Sequence, residues 1–234
     1  MSDISDNFKH LAVTPVQTLF ISQPKLVNKR NQEGFTPLMN ASRRGRDDRV
    51  ALLLENGARL EDVHPSTGDT ALTLAVQENH LSTCTLLLNH KANCNVLLSN
   101  GMFPLDSALS MNNLCIFKLL LAHGARVNSA RPDCGTTPLH GAALCGQTDF
   151  ARLCISHGAE VSARNKLGFT PLHDASQEGW LEIVEMLVAA GASYDDRNIY
   201  GSAPIHLAAQ HSHTAVVRFL VEAGCPVELV SGSL

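Results

Sequence analysis

Gly168-Phe169-Thr170-Pro171-Leu172-His173-Asp174-Ala175-Ser176-Gln177-Glu178-Gly179-Trp180-Leu181-Glu182-Ile183-Val184-Glu185-Met186-Leu187-Val188-Ala189-Ala190-Gly191-Ala192 reads as two short helices and two turns. Thr170 is a good N-cap, and Pro171 suits the first helical position, where its missing N–H costs nothing. Leu172, Ala175 and Ser176 recur at helical spacing until Gly179. A second helix then places Ile183, Val184, Leu187 and Val188 on one side, and Gly191 closes it as a left-handed cap. Helices this short cannot bury their apolar faces alone, so copies should be stacked beside them.

The copies are present. The opening glycine recurs at Gly34, Gly68, Gly101, Gly135, Gly168 and Gly201, in steps of 34, 33, 34, 33 and 33 residues. Thr36-Pro37-Leu38, Thr137-Pro138-Leu139-His140 and Thr170-Pro171-Leu172-His173 share one box. Thr70-Ala71-Leu72, Phe103-Pro104-Leu105-Asp106 and Ala203-Pro204-Ile205-His206 are degraded versions of it. The closing pair is Gly57-Ala58, Gly124-Ala125, Gly158-Ala159 and Gly191-Ala192, with Lys91-Ala92 and Gly224-Cys225 in the same slot. Period and box resemble the ankyrin repeat. The resemblance implies an all-α solenoid of stacked helix-turn-helix units joined by short β-hairpin loops, with six repeats over residues 28–228. Residues 1–27 are expected as a tail with a degenerate half-repeat cap, carried by Val16, Leu19, Phe20 and Ile21; a disordered tail is the alternative. Residues 229–234 are a short end, either natural or followed by further sequence.

Three repeats depart from the pattern. Met39 replaces the box histidine in the first, which predicts that the usual polar bond there is absent. The second lacks proline and has Asn79 in the inter-helix turn. The third has Phe103, Asp106 and Asn112, but keeps its apolar stripe of Ile116, Phe117, Leu120 and Leu121. Asparagine tolerates the left-handed conformation better than other non-glycine residues.

Composition narrows the function. Apolar residues make up 44% and aromatics 5%, enough for a narrow aliphatic core. The formal net charge of −4 argues against nucleic acid, which calls for a basic stripe. Lys29, Arg30, Arg43, Arg44, Arg46 and Arg49 are a local exception that reads either as an acidic-partner site or as solvated helix ends balanced by Asp47, Asp48 and Glu55. No signal peptide or membrane-length apolar run is visible. The seven cysteines are odd in number and contain no Cys-x-x-Cys, so free thiols in a reducing compartment, cytoplasmic or nuclear, are expected.

His140, His173 and His206 invite a metal reading. Stacking would set them ~8–10 Å apart, too far to share a zinc with bonds of ~2.0–2.1 Å. The resemblance instead gives the box histidine a bond to the box threonine and to a neighbouring turn, weakened at His206 by Ala203. His206, His211, His213 and Cys225 have loose spacing for zinc, and Cys134 and Cys145 lack a basic neighbour to activate them. No nucleophile elbow, phosphate loop, dinucleotide fingerprint or carboxylate pair occurs. The chain is therefore expected to be no enzyme and to need no cofactor or metal.

What remains is a surface. In ankyrin-like stacks the contacts come from hairpin tips and the inner, concave face of helix one. Those slots here include Phe35, Arg43, Arg44, Met102, Met111, Leu144, Lys166, Leu167, Phe169, Gln177, Glu178, Ile199, Tyr200, Gln210 and His211, with Trp180 just beyond at the helix–helix turn. Several are apolar where solubility alone would favour charge, and such residues anchor interfaces; Phe35 and Phe169 could instead pack on neighbouring hairpins. The expectation is a monomer that binds a protein partner, with the strongest contacts in repeats four to six. The alternatives are the substrate-recognition part of a ubiquitin-ligase adaptor, resembling the ankyrin and SOCS-box family but lacking the box within this sequence, or a masking inhibitor or scaffold. The resemblance further implies that hairpin asparagines such as Asn128 could be hydroxylated.

Overall fold

The computed structural model describes residues 24–98 and 100–225; the expected half-repeat cap before Pro24 and the end after Cys225 lie outside them. After a 3-10 turn at Pro24–Leu26 come twelve α-helices in six pairs, and no strand is formed among the described residues. They are α1 (Pro37–Arg43), α2 (Asp47–Glu55), α3 (Ala71–Gln77), α4 (Leu81–Asn89), α5 (Pro104–Ser110), α6 (Leu114–Ala122), α7 (Pro138–Leu144), α8 (Thr148–Ser156), α9 (Pro171–Glu178), α10 (Leu181–Ala189), α11 (Pro204–Gln210) and α12 (Thr214–Glu222). The chain divides into two compact units, one up to Ala125 and one from Arg126.

Each pair begins at an extended N-cap residue. Thr36, Thr70, Phe103, Thr137, Thr170 and Ala203 occupy that position, with proline at N1 in all pairs but the second. Each first helix ends where the chain turns left-handed. Asn79, Asn112 and Ser212 hold φ of 62°, 54° and 63° there, and Lys91 holds 69° in the slot that closes α4. The second helices end in Schellman-type turns: after α10, Ala192 N–H reaches Leu187 O at 2.9 Å and Gly191 N–H reaches Val188 O at 2.9 Å.

Within the second unit α9 packs between α7 and α11, and α10 between α8 and α12. Leu139, Leu172, Val184, Leu187 and Leu220 are fully buried. In the first unit α1, α3 and α5 form one row and α2, α4 and α6 another, around Leu72, Leu87, Ile116, Phe117 and Leu120. Neither row could persist as isolated helices of seven to nine residues; mutual burial of the aliphatic stripe holds them.

Candidate protein-interaction surface

The box residues are committed to the scaffold. His140 Nε2 lies 3.1 Å from Phe169 O, and His173 Nε2 lies 3.0 Å from Ser202 O. A carbonyl only accepts, so each Nε2 carries the proton and each Nδ1 accepts. His140 Nδ1 takes the Thr137 N–H at 3.2 Å and the Thr137 hydroxyl at 2.8 Å; His173 Nδ1 takes the Thr170 N–H at 3.1 Å and its hydroxyl at 2.8 Å. Each histidine thus caps its own helix and ties it to the next hairpin. Burial holds both imidazoles below the usual histidine range, and therefore neutral. Among the described residues His206 makes only the cap, accepting from Ala203 N–H at 3.0 Å.

At Met39 the structure corrects the sequence-based expectation. The cap bond is present: the thioether sulfur accepts from Thr36 N–H at 3.4 Å, while Thr36 Oγ1 accepts from Met39 N–H at 3.2 Å. The bridge between hairpins comes from the opposite direction, since His64 Nε2 reaches back to Glu33 O at 2.8 Å. Asp106 caps α5 by accepting from Phe103 N–H at 2.9 Å.

A second set of straps was not foreseen. In three pairs the residue after the inter-helix turn reaches back one repeat. His80 Nε2 donates to Arg43 O at 3.1 Å, Trp180 Nε1 to Leu144 O at 3.2 Å and His213 Nε2 to Gln177 O at 2.9 Å. Those carbonyls belong to the last turn of a helix, where no intrahelical donor exists. The Trp180 indole also lies over Gly146, where an added Cβ would stand 2.6 Å from the ring. Trp180, expected at the interface, is 43% exposed but holds two repeats together. His211 and His213 stack with ring centroids 6.3 Å apart, and His211 Nδ1 donates to Leu207 O at 3.0 Å.

Asparagines tie hairpins to the next repeat. Asn128 Nδ2 donates to Gly158 O at 3.0 Å and its Oδ1 accepts from Glu160 N–H at 2.9 Å. Asn28 makes the same pair of bonds to Gly57 O and Arg59 N–H, so it stands in the Asn128 slot.

The remaining candidate residues fall in the two units. In the first, Phe35 is half-buried, with its ring 4.3 Å from the His64 ring and Arg43 Cζ 4.6 Å from its centroid; it packs on the neighbouring hairpin. Arg44 and Met111 are exposed and Met102 is half-buried. In the second, backbone bonds join successive hairpins: Lys166 N–H to Cys134 O at 2.9 Å and Ile199 N–H to Leu167 O at 3.1 Å. These bonds set Leu167 and Ile199 on adjoining tips, with Tyr200 next in the chain. Leu167, Ile199 and Tyr200 are 47%, 62% and 69% exposed, and Leu144 is exposed at the end of α7. Lys166 spends its ammonium on Pro132 O at 2.6 Å. Phe169 is half-buried, its ring 5.6 Å from that of His173. Gln177 donates to Glu178 Oε1 at 3.1 Å, and Gln210 and His211 are exposed on and just after α11.

One residue the sequence reading passed over places a carboxylate in a slot that the scaffold leaves variable. The slot after the third helical residue holds Asn40, Leu74, Ser107, Gly141, Asp174 and Leu207 in successive pairs. Asp174 is buried there, and among the described residues its carboxylate has no hydrogen-bond partner. Burial, with Glu178 adding to it, pushes its carboxyl up to about 8. The signal was in the sequence: a carboxylate in a slot that is leucine in two other repeats.

Comparison with known proteins follows this geometry. A family model described as ankyrin repeats (three copies) matches four overlapping segments, residues 9–97, 59–131, 105–198 and 139–231. An ankyrin repeat protein of fowlpox virus is 38% identical over 130 residues, covering 54% of this chain and 38% of that protein. Neurogenic locus notch homolog protein 1 of Homo sapiens is 32% identical over 166 residues, covering 65% of this chain and 6% of that one. The aligned segments span well under half the length of these curated relatives. Among solved structures, the ankyrin repeat domain of Bcl-3, described as a unique member of the IkappaB protein family, superposes with TM-score 0.79 at 25% identity, covering 87% of this chain and 91% of that one. An ankyrin repeat domain from Acinetobacter baumannii superposes with TM-score 0.76 at 27% identity, over 80% of this chain and 97% of that one. With six helix pairs in one sequence register and a family model that matches most of its length, the chain belongs to the ankyrin repeat family.

Proposed function

We propose that this chain is a non-catalytic recognition module that binds a protein partner on the hairpin tips and helix-one face, with its main anchors in the second unit. One observation carries the reading: adjoining hairpins, fixed by backbone bonds, present Leu167, Ile199 and Tyr200 to solvent. Apolar and aromatic side chains on pre-organised tips bind with little ordering entropy to lose. The recurring chemistry of the repeat supports the same reading, because its box histidines His140 and His173 and its Asn128 are occupied by structural bonds. Seven free thiols favour a partner in a reducing compartment, the cytoplasm or nucleus.

Affinity capture with the intact chain and with a Leu167→Ala/Tyr200→Ala variant tests this. Partners that bind the first and are lost from the second, at unchanged helicity, are the expected result. Equal capture by both would refute it. Co-purified ligase subunits would mark an adaptor, and a partner whose own activity falls on binding would mark a masking inhibitor.

A further inference from the structure

We propose that Asp174 and Glu178, beside the open backbone of Gly141, form a receptor for a basic side chain of the bound partner, an arginine in preference to a lysine. The proposal rests on reading the inner face of the second unit as the partner surface, and it names the chemistry that surface selects.

Asp174 and Glu178 are four residues apart on α9 and share one face of it. Asp174 is nine-tenths buried, yet its carboxylate has no hydrogen-bond partner among the described residues. Among the described residues no lysine, arginine or histidine forms an ion pair with either carboxylate. Glu178 is exposed, and its one bond is from the neutral Gln177 amide. α9 lies between α7 and α11, whose residues in the Asp174 slot are Gly141 and Leu207. Leu207 is buried. Gly141 has no side chain and stays partly open to solvent. Leu144, one turn further along α7, is exposed.

A carboxylate that is mostly desolvated and has no protein donor is costly to ionise. Within the fold, burial and the neighbouring Glu178 keep the Asp174 carboxyl protonated at neutral pH. An arriving cation reverses that balance, since it stabilises the ionised form of both carboxylates. A guanidinium is the better occupant. Its planar fork offers five donors and can serve two carboxylates together, whereas an ammonium is more strongly hydrated and acts as a point charge. Its aliphatic stem would lie along Leu144.

The test uses the intact chain. A random peptide library is selected against it, and the winners are measured against an Asp174→Asn/Glu178→Gln variant and a Leu167→Ala/Tyr200→Ala variant, both checked for helicity. In parallel, amide shifts at Gly141 and Asp174 are followed with N-acetylarginine amide, N-acetyllysine amide and the neutral N-acetylcitrulline amide. The expected result is arginine-enriched peptides that lose about tenfold or more in affinity on the carboxamide variant, with shifts in the order arginine, lysine, citrulline. Peptides without a basic preference, lost on the tip variant but unchanged on the carboxamide variant, would overturn the receptor and leave the interaction surface standing. Equal shifts with citrulline and arginine would also overturn it. No selected peptide and no shift with N-acetylarginine amide would overturn both readings.

Discussion

Replacing Asp174 by leucine should stabilise the protein, and the gain should grow as pH rises. The slot accepts leucine without rebuilding: Leu74 and Leu207 occupy it elsewhere, 5% and 7% exposed. The magnitude follows from the proton. An unfolded aspartate ionises near 3.9, while the folded carboxyl is pushed up to about 8, first by burial and then by Glu178. At pH 7 the fold must therefore keep a proton that the unfolded chain has released. That costs at most about 4 kcal/mol, roughly three pH units at 1.36 kcal/mol each. Residual solvent contact and side-chain relaxation reduce it, so a net gain of about 2 kcal/mol is expected at pH 7. In a chain of this size that is roughly 4–8 °C in Tm.

The sign is fixed by the raised carboxyl. Its contribution is greatest below pH ~4, where both states are protonated, and is lost as pH rises through about 8. With the same discount, the difference between Asp174→Leu and the parent should thus shrink by about 2 kcal/mol between pH 8 and pH 5. Apart from Glu178, whose charge acts on Asp174, the other titrating groups are common to both proteins and cancel. Urea and thermal unfolding at pH 5, 6, 7 and 8 would measure it. A variant less stable than the parent at every pH, or a gap that does not change with pH, would refute the reasoning.

Further outcomes follow from the straps. Trp180→Ala should destabilise by about 1–3 kcal/mol, through lost apolar burial and the bond to Leu144 O. Gly146→Ala should be destabilising too, because φ is 70° and the new Cβ meets the indole at 2.6 Å; its cost should fall in the Trp180→Ala background, and strict additivity in that double-mutant cycle would deny the contact. In the Asp174→Leu background, stability should decrease on going from pH 7 to pH 5, because His140 and His173 are held neutral by burial and their contribution is lost as pH falls through their lowered values; a flat profile would contradict the bonding described. Leu172→Ala should cost about 2–5 kcal/mol, while Leu167→Ala and Tyr200→Ala should stay within about 0.5 kcal/mol of the parent in unfolding free energy.

Local rules were legible from the residues because their partners sit within a few positions. Thr170 and Pro171 start a helix whatever surrounds them, and Asn79, Asn112 and Lys91 hold the left-handed slots assigned by register. What the register hid is which partner each slot uses one repeat away. Trp180 bonds a carbonyl 36 residues earlier, and an indole, apolar with one donor, suits an interface and an internal strap equally well. Met39 was misjudged for a related reason: sulfur was discounted as an acceptor, although the cap needs only a weak one beside a good Thr36 hydroxyl. On the hairpin tips no scaffold bond requires a leucine at 167 or an isoleucine and a tyrosine at 199 and 200.

Asp174 shows how scaffold and function can be separated in a repeat protein. Each slot is used six times, so the scaffold's needs are visible in its better copies. His173 agrees with His140, and its bonds explain both. Asp174 disagrees with Leu74 and Leu207, and nothing it touches in the described fold repays the disagreement. A side chain that lowers stability in a slot where a better one is available points to a use outside the folded chain. Asp174→Leu therefore makes two opposed demands of one substitution. It should raise the melting temperature, and it should remove the preference for arginine. A variant that gained stability and kept that preference would place the basic-residue contact on Glu178 alone.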